Sequence, residues 1–143
     1  MIVYLDTSAV LKLLIDEAES GPLAQQLTKF SADGDTLAAS MLLHTELHCA
    51  VNRRAKGVPA RAVNTVLSTI SLVDVARDDL LFAAALPGGL RTADAIHLAT
   101  AIRLHADVLV AYDRELLAAA EAAGLSTLSP RRPQAQSVSG PLQ

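Results

Sequence analysis

Ile2-Val3-Tyr4-Leu5-Asp6-Thr7-Ser8 is the stretch on which the reading of this chain turns. An unbroken apolar run of this length suits a strand buried on both faces, and such strands belong to parallel sheets. The run stops on a carboxylate. In open α/β sheets the carboxyl ends of parallel strands are where ligands bind, so the place of Asp6 matters more than its type. The pattern returns near the other end, where Val108-Leu109-Val110-Ala111-Tyr112 runs into Asp113. Two further acids lie between them in apolar surroundings, Glu46 in LLHTELHCAV and Asp94 in LRTADAIHLATA. If the fold gathers these carboxylates, their repulsion calls for a cation among them.

The rest of the chain alternates short apolar runs with helical patterns. A helix is expected from Ser8 to about Ile15, with Thr7 or Ser8 as its cap. Leu23, Leu27 and Phe30 mark a second helix over 21–30, and Asp33-Gly34-Asp35 signals a turn. A strand over 36–40 precedes a helix over 41–55, and Pro59 suits the first turn of another that reaches about Ile70. Leu72, Val73 and Val75 suggest a strand, 77–86 a helix, and Thr92 the cap of a helix over 93–105. The clearest internal strand covers 107–112. A helix over 114–123 closes at Gly124, and 125–128 reads as an edge strand. This alternation predicts a three-layer α/β/α sandwich around a mainly parallel sheet of four to five strands. From Ser129 the composition shifts to SPRRPQAQSVSGPLQ. The chain therefore divides into one domain over 1–128 and a tail over 129–143, expected to be flexible.

With 143 residues, a single domain can bury a substantial core without staples. Aromatics make up only 3%, so the core must rest on Leu, Val, Ile and Ala. The lone Cys49 cannot form an internal disulfide, which fits a reducing cytoplasm. No run approaches the roughly 18 apolar residues of a membrane span. A net charge of −3 does not advertise a nucleic-acid binder, but acids gathered at one site can coexist with basic residues elsewhere.

Each acid has a bland reading beside the functional one. Asp6 is either a helix cap or a metal ligand. Glu46 projects among Leu43, Leu47 and Ala50 and needs a partner, since buried charge is costly. His44 and His48 share a helix face roughly opposite Glu46, so they do not join it. Asp94, in the first turn of its helix, either answers the helix dipole or, with Thr92 as cap, points elsewhere. His97, one turn on, lines the same mouth or is a structural histidine. Asp113 repeats the logic of Asp6, and Glu115 is either a peripheral ligand or a solvated helix-start acid. Taken together, an all-oxygen set of carboxylates suits Mg²⁺, with Mn²⁺ able to substitute, rather than a Cys/His zinc site. The chemistry expected of such a centre is phosphodiester hydrolysis by activated water.

LDTSAVLKLL, HTELHCAVNR, LRTADAIHLATA and VAYDREL, in this order, resemble the PIN-domain ribonucleases, most closely the VapC-type toxins of bacterial toxin–antitoxin pairs. The resemblance covers residues 1 to about 128. It implies a divalent-metal-dependent endoribonuclease with Asp6, Glu46, Asp94 and Asp113 as its acidic quartet. It also implies inhibition by a VapB-type antitoxin, and a homodimer. Thr7 and Ser8 match the hydroxyl positions after the first aspartate. Some relatives carry a further aspartate just after the fourth acid; Glu115 stands there, which leaves open its role and any second metal.

Arg53, Arg54, Lys56 and Arg61 form a basic cluster after Glu46 that either holds the RNA backbone or is a solvated helix end. With so few aromatics, RNA shape rather than base stacking is the expected basis of specificity. Val10, Leu11, Leu14 and Ile15 point to more than one face of their helix, which suggests an exposed groove for an amphipathic antitoxin segment. A haloacid-dehalogenase-like phosphatase would want a second aspartate where Ser8 stands, and a receiver domain an acidic pair after the first strand. A non-catalytic PIN-like module that binds only RNA or antitoxin is the remaining alternative.

Overall fold

The computed structural model describes residues 1–133. Five strands, β1 (Ile2–Leu5), β2 (Thr36–Ser40), β3 (Ser71–Val73), β4 (Val108–Val110) and β5 (Ser126–Leu128), form one sheet in the order β3-β2-β1-β4-β5, with every pairing parallel. The chain builds one half outward from β1, then returns to β1's other edge for β4 and β5. Between β1 and β4 lies the switch point at which open parallel sheets bind ligands.

Seven helices cover the sheet: α1 (Thr7–Leu11), α2 (Ser20–Ala32), α3 (Leu42–Arg54), α4 (Ala60–Leu67), α5 (Arg77–Ala85), α6 (Thr92–Arg103) and α7 (Arg114–Ala122). Right-handed crossovers put helices on opposite faces when the chain reverses direction across the sheet. Accordingly α1 packs on α3 and α3 on α4, whereas α6 packs between α5 and α7. Val3, Tyr4, Leu5, Leu43, Leu47, Leu98, Leu109 and Leu116 are wholly or almost wholly buried in one core.

Several expectations need correction. α1 ends at Leu11 rather than Ile15, because i→i+3 bonds such as Leu13 N–H to Val10 O (3.0 Å) and Leu14 N–H to Leu11 O (3.0 Å) tighten the chain into turns. Its cap is Asp6, not Thr7 or Ser8. α6 begins on Thr92 itself, and Arg91 occupies the cap position in extended backbone without a side-chain bond. Val10 and Leu11 lie in the core, with Leu14 and Ile15 partly buried against it, so the exposed groove expected on this helix is absent. Leu80, Leu81 and Phe82 of α5 are the apolar side chains exposed together instead.

Gly124 closes α7 at φ +92°, a left-handed conformation that glycine adopts freely. The compositional break at Ser129 is not where contact with the domain ends. Ser129 Oγ donates to Ala111 O (2.6 Å), and Tyr112 Oη donates to Pro130 O (2.7 Å). Residues 134–143 of the expected tail lie outside the described residues.

A buried ion pair joins α5 to α6. Asp79 is 2% exposed and accepts from Arg103 Nε (2.7 Å) and Nη2 (3.0 Å), from Thr100 Oγ1 (3.3 Å) and from the Ala76 amide (2.9 Å). Burial alone would push its carboxyl up, but these donors hold it below the usual carboxylate range.

Candidate active site

The site begins where β1 ends. Asp6 N–H donates to Val110 O (3.0 Å), which stitches the end of β1 to the end of β4. Asp6 Oδ2 accepts from the amide of Ser8 (3.2 Å) and from its hydroxyl (2.7 Å), and Ser8 Oγ accepts in turn from Tyr112 N–H (3.1 Å). The serine thus fixes the first acid to the strand that carries the last. Capping and ligation are not rivals here, because one oxygen caps. The other, Oδ1, is buried, and among the described residues nothing satisfies it. A buried carboxylate oxygen without a partner is costly.

Glu46 enters from α3 and finds the partners its surroundings demand. Thr7 Oγ1 donates to Glu46 Oε1 (2.8 Å), and His97 Nε2 lies 2.5 Å from the same oxygen. His97, fully buried on α6, sets its Nδ1 2.7 Å from Tyr4 Oη, which accepts from the Ser40 amide (3.0 Å). With a neutral ring, Tyr4 Oη donates to Nδ1 and Nε2–H donates to Glu46, so every group in this chain is paired. Burial opposes charge on both partners. The histidine, by hydrogen bond and charge, and Thr7 nevertheless hold the Glu46 carboxyl below its usual range. The bond to Glu46 and the charges of Asp6, Glu46 and Asp94 raise the affinity of His97 for a proton.

Asp94 stands in the first turn of α6, half-buried. Its pKa rises to about 6, first because burial disfavours the charge and then because Asp6, Asp113 and Glu46 repel it. Asp94 thus feels the charge of each of the other three acids. Asp113 caps α7, accepting from Leu116 N–H (3.0 Å).

The remaining expected residues divide. Arg53 lines a groove of about 600 Å³ with Thr7, Thr45 and Glu46. Arg54 lines a groove of about 280 Å³ on the other side, with Ser8, Lys12 and Asp113. Lys56 and Arg61 are exposed. Glu115 is exposed and borders an apolar groove with Leu86, Leu98 and Ala119, a different groove from the one that Asp113 lines. His44 and His48 pack against each other with ring centres 4.8 Å apart, and His48 bonds Asn64, apart from Glu46 as anticipated.

A divalent cation fits this donor set. Its members are hard oxygen groups, one buried oxygen lacks a partner among the described residues, and Asp6, Asp113 and Glu46 repel the charge of Asp94, which His97 offsets only in part. The set is open: among the described residues no three His, Cys, Asp or Glu side chains are grouped to enclose an ion by themselves.

Sequence reasoning missed Tyr4 altogether. The signal was a tyrosine in an otherwise aliphatic buried strand, whose hydroxyl must find a partner. It also missed the charged cluster around Lys12.

The five-stranded parallel sheet covered by helices, with Asp6 at the end of β1 and Asp113 just after β4, defines an α/β protein whose acids stand at the switch point of the sheet. The chain belongs to the PIN domain family, whose model matches residues 3–122. Ribonuclease VapC47 of Mycobacterium tuberculosis (strain CDC 1551 / Oshkosh) is 33% identical over 132 residues, covering 90% of this chain and 97% of that protein. Among solved structures, VapC20 of Mycobacterium tuberculosis, a Sarcin-Ricin loop cleaving toxin, superposes with a TM-score of 0.70 at 17% identity, over 90% of this chain and 99% of its own. A toxin–antitoxin complex from Klebsiella pneumoniae gives 0.61 at 18% identity, over 92% and 99%. At such identities these two structures attest the fold. The phosphatase and receiver readings fall with the family match.

Proposed function

We propose that this protein is the toxin of a type II toxin–antitoxin pair, a divalent-cation-dependent endoribonuclease whose centre is Asp6, Glu46, Asp94 and Asp113. The observation that carries the reading is the buried Asp6 Oδ1, unpartnered among the described residues, together with Asp94, whose charge Asp6, Asp113 and Glu46 repel. The ribonuclease relative supports the choice of RNA as substrate. Asp6, Glu46, Asp94 and Asp113 would hold a Mg²⁺ or Mn²⁺ ion, which when bound would supply charge neutralisation and water activation for phosphodiester hydrolysis.

The chain's own residues do the positioning. Ser8 holds Asp6 at one orientation and ties it to Tyr112. Thr7 and His97 hold Glu46 ionised, and Tyr4 fixes the ring of His97. The Leu116 amide orients Asp113. Glu115, at the border of its apolar groove, stays outside the ligand set. Arg53 and Arg54, one in each groove beside the acids, hold the RNA backbone.

The partners are RNA, a VapB-type antitoxin and a second copy of the chain, for which the exposed Leu80, Leu81 and Phe82 of α5 offer apolar contact. We place the protein in the cytoplasm; among the described residues no helix is long and apolar enough to cross a membrane. The test is incubation of antitoxin-free protein with structured RNAs in Mg²⁺, Mn²⁺ or EDTA. Discrete metal-dependent cuts are expected, and they vanish in Asp6→Asn and Asp94→Asn. Cleavage that survives in EDTA or in both variants overturns the reading, and binding without cleavage would indicate the non-catalytic module.

A further inference from the structure

Three cations and two carboxylates meet on the Asp113 side of the centre. Lys12 Nζ bonds Glu17 (2.6 Å) and Glu19 (3.1 Å) and is largely buried. The two arginines are held far more loosely. Arg54 lies 3.6 Å from Glu17 and is 54% exposed; Arg131 lies 3.9 Å from Glu19 and is 57% exposed. Tyr112 packs among them, with Lys12 Nζ 4.7 Å and the Arg131 guanidinium 5.6 Å from its ring centre. Lys12, Glu17, Arg54 and Tyr112 line the same 280 Å³ groove as Ser8 and Asp113.

These contacts differ in kind. Lys12 is locked by short bonds and organises the acids. Long, half-exposed pairs such as those of the arginines are weak and screened by water, so both guanidiniums are available to a better acceptor. A phosphodiester is one, since the guanidinium fork matches its oxygens. The cluster keeps one positive charge in excess beside a centre that otherwise repels a polyanion.

On the ribonuclease reading above, we propose that Arg54 and Arg131 form a seat for an RNA backbone phosphate next to the one cleaved. Glu17 and Glu19 occupy that seat in the free protein as internal stand-ins for the phosphate. RNA takes the arginines from the glutamates, while Lys12 stays on the acids and keeps the wall of the groove in place.

The test is equilibrium binding of a labelled single-stranded RNA in EDTA, measured by fluorescence anisotropy over a series of salt concentrations. Lys12 is left intact because it is buried; melting curves confirm that each variant folds. Losing one phosphate contact lowers the slope of log affinity against log salt by about 0.7, the drop expected for Arg54→Gln/Arg131→Gln. Glu17→Gln/Glu19→Gln should bind about three- to fivefold tighter than wild type, because RNA no longer competes with them. Asp33→Asn/Glu121→Gln, the same charge change elsewhere, should gain clearly less. The gain should vanish when the glutamine pair is placed in the Arg54→Gln/Arg131→Gln background. An unchanged salt slope in the arginine variant overturns the proposal, as does a glutamine gain no larger than the control's or one that persists without the arginines. Wild-type protein that neither binds nor cuts RNA fails the ribonuclease reading as well; normal binding and cutting with the variant effects missing fails this seat alone.

Discussion

Replacing Asp94 by asparagine should make the metal-free protein more stable, by an amount that grows from pH 3.8 and is complete above about pH 6. The carboxyl of Asp94 ordinarily titrates at 3.8 but sits at about 6 in the fold, lifted by burial and by Asp6, Asp113 and Glu46. Below 3.8 both folded and unfolded chains carry the proton, and the group contributes nothing. Between 3.8 and about 6 the unfolded chain ionises first, so the folded state binds more protons and stability falls as pH rises. Above about 6 the penalty is complete. A shift of about 2 units corresponds to about 3 kcal/mol. The side chain is only half-buried, so solvent screening reduces this to about 1–2 kcal/mol. Urea unfolding in EDTA should therefore show Asp94→Asn gaining about 1–2 kcal/mol at pH 8 and almost nothing at pH 3.5. Saturating Mg²⁺ should narrow the difference at pH 8, because a cation relieves the same repulsion in wild type. An asparagine variant less stable than wild type at pH 8, or stabilised equally at both pH values, would refute the reasoning.

Asp6→Asn keeps a residue type that caps α1 as well as aspartate does, so it should melt within a few degrees of wild type yet lose at least about 100-fold in RNA cleavage. Arg103→Leu strands the buried Asp79 carboxylate and should cost about 2–4 kcal/mol of unfolding free energy. The loss should shrink under acid conditions that protonate the stranded carboxylate. Tyr4→Phe deprives the Ser40 amide and His97 of their partner and should cost about 1–3 kcal/mol by urea unfolding. Leu81→Glu/Phe82→Glu falls on exposed positions and should leave the melting temperature nearly unchanged while sedimentation shifts toward monomer.

Local signals carried much of this fold. The unbroken apolar runs at 2–5 and 108–112 mark parallel strands, and the carboxyl ends of those strands put Asp6 and Asp113 at one rim of the sheet. The apolar spacing of Leu23, Leu27 and Phe30 marked α2, and all three are buried. What escaped depends on partners far apart in the chain. Glu46 meets His97 across 51 positions and Thr7 across 39, and no local pattern encodes either contact. The burial of Val10 and Leu11 was misjudged for the same reason: α3 packs over a helix that looked too apolar on too many faces. The cap of α1 stays open among three consecutive residues that can cap, and the Ser8 amide and hydroxyl bonding back to Asp6 decide it. No sequence pattern singles out Lys12, Glu17 and Glu19, which the turns after Leu11 fold together.

The central claim is that these carboxylates hold a divalent cation, and Mn²⁺ titration followed by electron paramagnetic resonance tests it most directly. Wild type should take up Mn²⁺ at micromolar to submillimolar concentration. Asp6→Asn and Asp94→Asn should bind at least about tenfold more weakly, and Glu115→Gln should match wild type. Mn²⁺ uptake that is the same in wild type and Asp6→Asn would contradict the account.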